Sequence, residues 1–501
     1  MASTLDTADL ETAADPKALR RVVIEPLSRV EGHGKVTILL DQDDHVRQVR
    51  LHIVEFRGFE RFVQGRPYWE VPVLVQRICG ICPVAHQIAS SKAMDMMLGI
   101  ERLTPTAEKI RRLMHYGQIL QSNSLHFFHF ATPDLLFGFD SDRAKRNIVG
   151  VAAEHPDIAR KGVLLRKFGQ EVIRHTSGKR VHGTGAIPGG VNKSLTREER
   201  DGLLADAYKV IEWAREAVAL AKRLQMTNAA LYNSFAAFRS NMLSIVAADG
   251  SLDMYHGNLR ARDASGQIIL DGADYRRYDD YIKLGVKPWT YLKFPFLRSL
   301  GRENGWYKVG PLSRVQNCDS IPTPFAEAER KEFVDYGGAE PVHATLAYHW
   351  ARMIEVLFAA EQIKELLQDD DVLGDELVTT GTRQQVGVGI IEAPRGTLIH
   401  HYHVNEDDLV DRATLIVSTT NNNQAMNESI RQVAKRYLDG RKLTEGLLNH
   451  IEVAVRAFDP CLSCSTHALG KMALAVELVD AEGGVVDRLS KGSRTSLCAI
   501  P

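Results

Sequence analysis

The sequence predicts an α+β, helix-rich fold in which a central bundle of long helices carries small peripheral sheets and hairpins. Three observations predict it. Apolar residues recur at helical spacing over several long stretches. Two short β-branched runs flank a turn near the front, and the middle of the chain alternates and is rich in Gly, Asp and Tyr. No internal repeat or low-complexity linker divides the 501 residues. Residues 21–467 therefore read as one interlocked body behind a flexible polar tail, 1–20.

Taken in order, 35–40 and 46–53 are apolar runs on either side of Asp41-Gln42-Asp43-Asp44, the signature of a hairpin. Thr104-Pro105 offers an N-cap with proline at the first helical position, and Ile110, Leu113, Met114 and Leu120 then share a face. Thr196 and Glu199 have capping-box spacing. They open a long amphipathic helix through Leu203, Ala207, Val210, Ala214, Ala217, Ala221 and Leu224. The stretch 251–310 reads as irregular and β-containing. Helical character returns at 342–367, 421–438 and 443–458, the last two ending at a Gly and at Asp459-Pro460.

Charge excludes several classes of partner. With 62 basic against 63 acidic residues and no basic run, nothing points to nucleic acid or an acidic membrane surface. The amino terminus lacks the apolar core of a secretory signal, and no run of about 18 apolar residues marks a membrane span. A cytoplasmic location is the expectation. There, six cysteines with four in two close pairs suit a metal or redox role better than a disulfide framework.

Those pairs are Cys79-Gly80-Ile81-Cys82 and Cys461-Leu462-Ser463-Cys464. Two residues between cysteines let both sulfurs turn toward one metal, and two pairs supply four thiolates. Spacing alone leaves zinc, an iron–sulfur cluster or another soft metal open. Compact zinc modules place their pairs close together, whereas these stand at opposite ends of a large chain, each followed shortly by a histidine, His86 or His467. Cys318 and Cys498 have no partner at ligand spacing and read as a buried thiol and a tail thiol.

The flanking residues carry a more specific signal. Arg77-Ile78-Cys79-Gly80-Ile81-Cys82 and Asp459-Pro460-Cys461-x-x-Cys464-x-x-His467 resemble the two signature motifs of nickel–iron hydrogenase large subunits. The resemblance continues through Arg29-Val30-Glu31-Gly32-His33, Phe56-Arg57-Gly58-Phe59-Glu60 and Glu392-Ala393-Pro394-Arg395-Gly396. Within the family it points to the soluble, NAD-reducing (bidirectional) branch, through Leu136-Phe137-Gly138, Pro188-Gly189-Gly190-Val191 and residues 379–396.

The resemblance implies a hydrogenase large-subunit fold, and a nickel–iron centre whose iron carries carbon monoxide and cyanide. It places Cys79 and Cys461 as terminal nickel ligands, with Cys82 and Cys464 bridging. Dihydrogen would be cleaved heterolytically, Cys461 accepting the proton and Glu31 relaying it. Arg395 would hang over the metals and pair with Asp459, Asp134 would be a nearby acid, and Ser418 would hydrogen-bond a cyanide. Two departures stand out: Ala131 where many relatives have His, and Val417 where many have Pro. Glu60 and His467 would bind a structural magnesium ion. His86 reads equally as a core residue or a neighbour of the metals. A maturation chaperone and a C-terminal endopeptidase would act on the chain, and residues 468–501 would be removed.

No Gly-x-Gly-x-x-Gly follows a strand, since Gly183-Thr184-Gly185-Ala186-Ile187-Pro188 ends wrongly, and too few cysteines remain for an iron–sulfur chain. Electrons would leave through a small iron–sulfur subunit to diaphorase subunits holding FMN and NAD. Other acceptors, a deazaflavin or a disulfide, remain open, as does a zinc-stabilised scaffold. A quinone-binding respiratory subunit of related fold would lack both cysteine pairs.

Overall fold

The computed structural model describes residues 20–24, 27–41, 43, 45–53, 56–438, 445–465, 474–479 and 485–491; His467 and Cys498 lie outside these. At the front, β1 (Arg20–Ile24), β2 (Gly34–Leu40) and β3 (Val46–Ile53) form an antiparallel sheet in that order. The expected hairpin is β2–β3. Its turn is fastened by Asp41, whose Oδ1 accepts the backbone N–H groups of Asp43 and His45 at 3.0 and 2.9 Å. β1 begins at residue 20, one residue inside the expected tail, because strand pairing recruits a short apolar run that carries no turn signal of its own.

The long helices follow as their caps predict. α1 (Pro83–Met97) starts at a proline. α2 (Pro105–Leu125) is capped by Thr104, whose Oγ1 accepts from Ala107 N at 3.1 Å. α3 (Pro156–Ser177) packs along α2. Their backbones come close enough that a Cβ on Gly169 would lie 2.6 Å from the Gly117 carbonyl oxygen. α4 (Arg197–Thr227) opens on the reciprocal Thr196–Glu199 box, with N–H bonds of 3.1 and 3.0 Å in the two directions.

Beyond α4, β4 (Asn241–Val246), β5 (Asn258–Arg262), β6 (Ile268–Ala273) and β7 (Tyr307–Lys308) form a sheet of order β7-β4-β5-β6. This is the β-containing middle that the composition predicts. α5 (Tyr348–Leu367) is buried nearly all round, Arg352 and Glu355 included, in the bundle against α2 and α4. It begins later than 342, after a separate 3-10 turn at Thr345–Ala347. β8 (Val386–Ala393), β9 (Gly396–Val404) and β10 (Val410–Ile416) then form an antiparallel meander, with α1 packed on β8 and β9. α6 (Asn423–Tyr437) and α7 (Glu445–Ala457) pack together. A final hairpin, β11 (Leu474–Val479) and β12 (Val485–Lys491), takes up the apolar stretch near the end of the chain. Among the described residues, no helix is long and apolar enough to cross a membrane.

Candidate metal centre

Four sulfurs from the two ends of the chain converge. Cys79 and Cys82 lie 2.8 Å apart, Cys461 and Cys464 2.7 Å, and across the pairs Cys79–Cys461 is 3.4 Å and Cys82–Cys464 4.0 Å. A disulfide needs about 2.05 Å, so these are four free thiols, and all four are buried.

Local structure explains the convergence. A short 3-10 turn at Gln76–Ile78 ends in extended Cys79, and α1 begins just after Cys82. In the turn between them, Cys79 Sγ accepts the N–H groups of Ile81 and Cys82 at 3.3 and 3.0 Å. From α2, Gln118 and Gln121 both donate to the Ile81 carbonyl, at 2.8 and 2.6 Å, and clamp that turn from outside.

The second pair follows α7. Asp459 turns the chain at φ +53°, a left-handed conformation that Asp tolerates, and Cys461 N donates to Thr419 Oγ1 at 3.0 Å. The segment carrying Glu31 runs alongside. Leu462 N donates to the Glu31 carbonyl at 3.0 Å, and the Cys461 thiol donates to Glu31 Oε2 at 3.0 Å. Ser463 donates through its backbone N–H to Oε2 at 3.2 Å and through its hydroxyl to Oε1. Only glycine fits next: Gly32 has φ +83°, and a Cβ there would lie 2.6 Å from Ser463 N.

Arg395 sits in the two-residue turn between β8 and β9. Its Nε donates to the Asp459 carbonyl at 2.7 Å, Nη2 to Asp459 Oδ1 at 3.1 Å and Nη1 to Ser122 Oγ at 3.3 Å. Burial disfavours its charge, but Asp459 and the neighbouring sulfurs outweigh that and hold it protonated. Burial raises Asp459 to about 6 against the pull of Arg395 and Arg352. Beside Cys82 and Cys464, a cavity of about 10 Å³ is lined by Arg395, His86, Leu398, Val417 and Ser418.

The electrostatics fit a soft cation. At Cys79, burial works against ionisation, yet hydrogen bonds from the other three thiols and the Arg395 charge bring the thiol well below its usual range. Burial pushes Cys461 and Cys464 well above theirs. So many thiolates cannot coexist at these separations unless a cation neutralises them. The ligand atoms all lie within 4.8 Å of one another, as a shared metal site requires. Four sulfurs alone would suit zinc equally, and the small, mostly apolar cavity beside them, no larger than one water, does not separate the two metals.

Comparison with known proteins decides between them. The family described as nickel-dependent hydrogenase matches residues 57–140 and 262–467, and a HoxL-like family matches 21–56. The chain belongs to the nickel-dependent hydrogenases. The beta subunit of the NAD-reducing hydrogenase HoxS of Cupriavidus necator is 46% identical, over 94% of this chain and 100% of that protein. One subunit of an F420-non-reducing hydrogenase of Methanothermobacter marburgensis is 40% identical, again over 94% and 100%. A crystal structure of an NAD+-reducing [NiFe]-hydrogenase in the H2-reduced state superposes with a TM-score of 0.88 at 56% identity, covering 90% of this chain and 100% of that one. The Ni-Fe-Se hydrogenase of D. vulgaris Hildenborough, at 22% identity and a TM-score of 0.73, shares the fold.

In this hydrogenase the four cysteines are positioned to bind the nickel–iron centre. Glu31, Arg395 and Ser418 stand around them, and Asp459 pairs with Arg395 as the resemblance implies. The Ser418 hydroxyl donates to the Gly396 carbonyl at 2.7 Å while lining the cavity, so a cyanide would compete for that hydrogen. Glu60 is largely buried, which raises its pKa, and its Oε1 accepts Leu415 N–H at 2.7 Å. Its expected partner His467 lies outside the described residues.

Asp134 occupies a different setting from the sulfurs. It accepts from Arg29 Nη2 at 2.6 Å, Arg456 Nη1 at 2.8 Å and Asn449 Nδ2 at 3.3 Å, just past a π-helical turn at His126–Ala131. Arg456 also donates to the Ser28 carbonyl at 3.0 Å. Asp134 thus ties the Glu31 segment to α7, which leads into Cys461. Sequence reasoning missed Ser463, Thr419, Gln118, Gln121 and Arg352. Only Ser463, inside the second cysteine motif, carried a positional hint.

Proposed function

We propose that this chain is the catalytic large subunit of a cytoplasmic, NAD-linked nickel–iron hydrogenase that splits dihydrogen reversibly into protons and electrons. The observation that carries the reading is a buried four-sulfur cluster with a carboxylate at hydrogen-bond distance from one sulfur and a charged guanidinium beside it. When bound, the nickel–iron centre supplies a redox-active Lewis acid at which dihydrogen is polarised. Cys79, Cys82, Cys461 and Cys464 would hold it, with the cavity lined by His86, Arg395 and Ser418 beside Cys82 and Cys464.

Cys461 sulfur takes the proton and passes it to Glu31 Oε2, 3.0 Å away. Ser463 fixes the Glu31 carboxylate from both oxygens. Arg395 orients dihydrogen through its fixed positive charge, Ser418 would hydrogen-bond a cyanide, and Asp134 braces the segment that carries Glu31. Glu60 and His467 would hold magnesium. The family match ends at residue 467, which supports removal of 468–501 by an endopeptidase once a chaperone has delivered nickel.

Electrons leave through a small iron–sulfur subunit, then through FMN-bearing diaphorase subunits to NAD. Support comes from the NAD-reducing relative and the NAD+-reducing structural neighbour. The surface next to the first cysteine pair adds to it. There Phe56, Phe62 and Trp69 are exposed, and Arg57 donates to the Arg77 and Ile78 carbonyls at 3.0 and 3.2 Å. Exposed aromatics on the segment that leads into the first cysteine pair suit a docking face. Infrared spectroscopy of the purified complex tests the site: stretches of metal-bound carbon monoxide and cyanide are expected. Active, nickel-replete protein without them overturns the assignment.

A further inference from the structure

One buried polar chain at the centre remains without a role. His86, on the first turn of α1, lines the cavity with Cys82 and Cys464. Its Nδ1 meets His400 Nε2 at 3.1 Å, and His400 Nδ1 meets the Tyr402 hydroxyl at 2.6 Å. His400 and Tyr402 are two residues apart on β9 and so share the face that packs on α1. All three side chains are buried.

Burial sets the protonation of the chain. It lowers His86 to about 4 and raises Tyr402, so the imidazole is neutral and the phenol keeps its proton. A neutral imidazole has one donor and one acceptor nitrogen. The 2.6 Å contact suits an O–H donor, and phenol is a better donor than imidazole N–H. With Tyr402 donating to His400 Nδ1, the proton of His400 sits on Nε2 and is donated to His86 Nδ1. The proton of His86 is then forced onto Nε2, the nitrogen left for the cavity.

We propose that Tyr402 and His400 are positioning residues that lock His86 in the Nε2–H tautomer, so that it serves as a hydrogen-bond donor to the iron side of the metal centre. The inference rests on the nickel–iron reading of the cavity. A donor there draws electron density from the iron's ligands, weakens back-donation and raises the carbon monoxide stretch. Without the Tyr402 hydroxyl, His400 can move its proton to Nδ1 and accept from His86 Nδ1–H, and the cavity loses its donor.

The test is infrared spectroscopy of the assembled, metal-loaded complex for wild type, Tyr402→Phe, His86→Ala, and the two combined. Tyr402→Phe and His86→Ala should each move the carbon monoxide band to lower wavenumber, and the double variant should match His86→Ala alone. A Tyr402→Phe band at the wild-type position overturns the proposal, and so does a shift that adds to that of His86→Ala. If Tyr402→Phe does not assemble, His400→Leu in the wild-type and His86→Ala backgrounds gives the same two comparisons. Absence of diatomic bands from the wild-type complex would instead overturn the functional reading itself.

Discussion

Gly32→Ala isolates the contact between Glu31 and Cys461 without touching either residue. The new Cβ would lie 2.6 Å from Ser463 N and 3.0 Å from Leu462 Cβ, on a backbone at φ +83°. The left-handed conformation itself costs an alanine roughly 1–2 kcal/mol. Bringing the Ser463 contact to 3.4 Å, the tight end of ordinary Cβ packing, opens the two segments by about 0.8 Å. The 3.0 Å bond from the Cys461 thiol to Glu31 Oε2 then stretches to about 3.8 Å, a long and weak contact even for a sulfur donor. A misplacement of this size costs about 10²-fold in rate. Hydrogen-dependent dye reduction by the assembled complex should fall by that order while nickel per chain, read by elemental analysis, stays at the wild-type value. Gly202→Ala, in open space on α4, is the control and should keep full turnover. Wild-type turnover in nickel-replete Gly32→Ala would refute the claim that the Glu31–Cys461 contact carries the proton.

Three further outcomes follow from the same geometry. Arg395→Lys keeps the charge but cannot reach the Asp459 carbonyl, its carboxylate and Ser122 together. Losing one charged hydrogen bond is worth about 1.5–3 kcal/mol, so turnover should drop roughly 10- to 10²-fold with nickel retained. Burial lowers Lys308 from 10.5 to about 7. The unfolded chain therefore binds more protons between those values, and this group's contribution to stability rises with pH across that window. In denaturant unfolding, the stability of wild type relative to Lys308→Met should climb by up to about 1.4 kcal/mol per pH unit; a flat difference contradicts the burial argument. Intact-mass measurement of active enzyme should find a chain ending at His467, and turnover by protein retaining residues 468–501 rules out tail removal as a condition of activity.

Much of this was legible in the sequence because the signals are local. Thr104, Thr196 and Glu199 announce helix starts through side chains that reach the next turn of backbone. The cysteine pairs carry their ligand spacing within four residues. What stayed hidden depends on partners distant in sequence. β8 is buried along nearly its whole length, so it shows no period-two alternation. Gln118 and Gln121 matter only because α2 passes the Cys79–Cys82 turn. The resemblance reads Asp134 as an acid near the metals, whereas its bonds to Arg29 and Arg456 follow from how α7 and the Glu31 segment meet it.

X-ray absorption at the nickel edge of the purified complex bears most directly on the four-sulfur centre. A first shell dominated by sulfur, with an iron neighbour just beyond it, is the expected result, and Cys79→Ser or Cys461→Ser should each replace one sulfur scatterer by a lighter atom or abolish nickel binding. Nickel bound by nitrogen and oxygen alone, or a nickel shell unchanged in either variant, would contradict it.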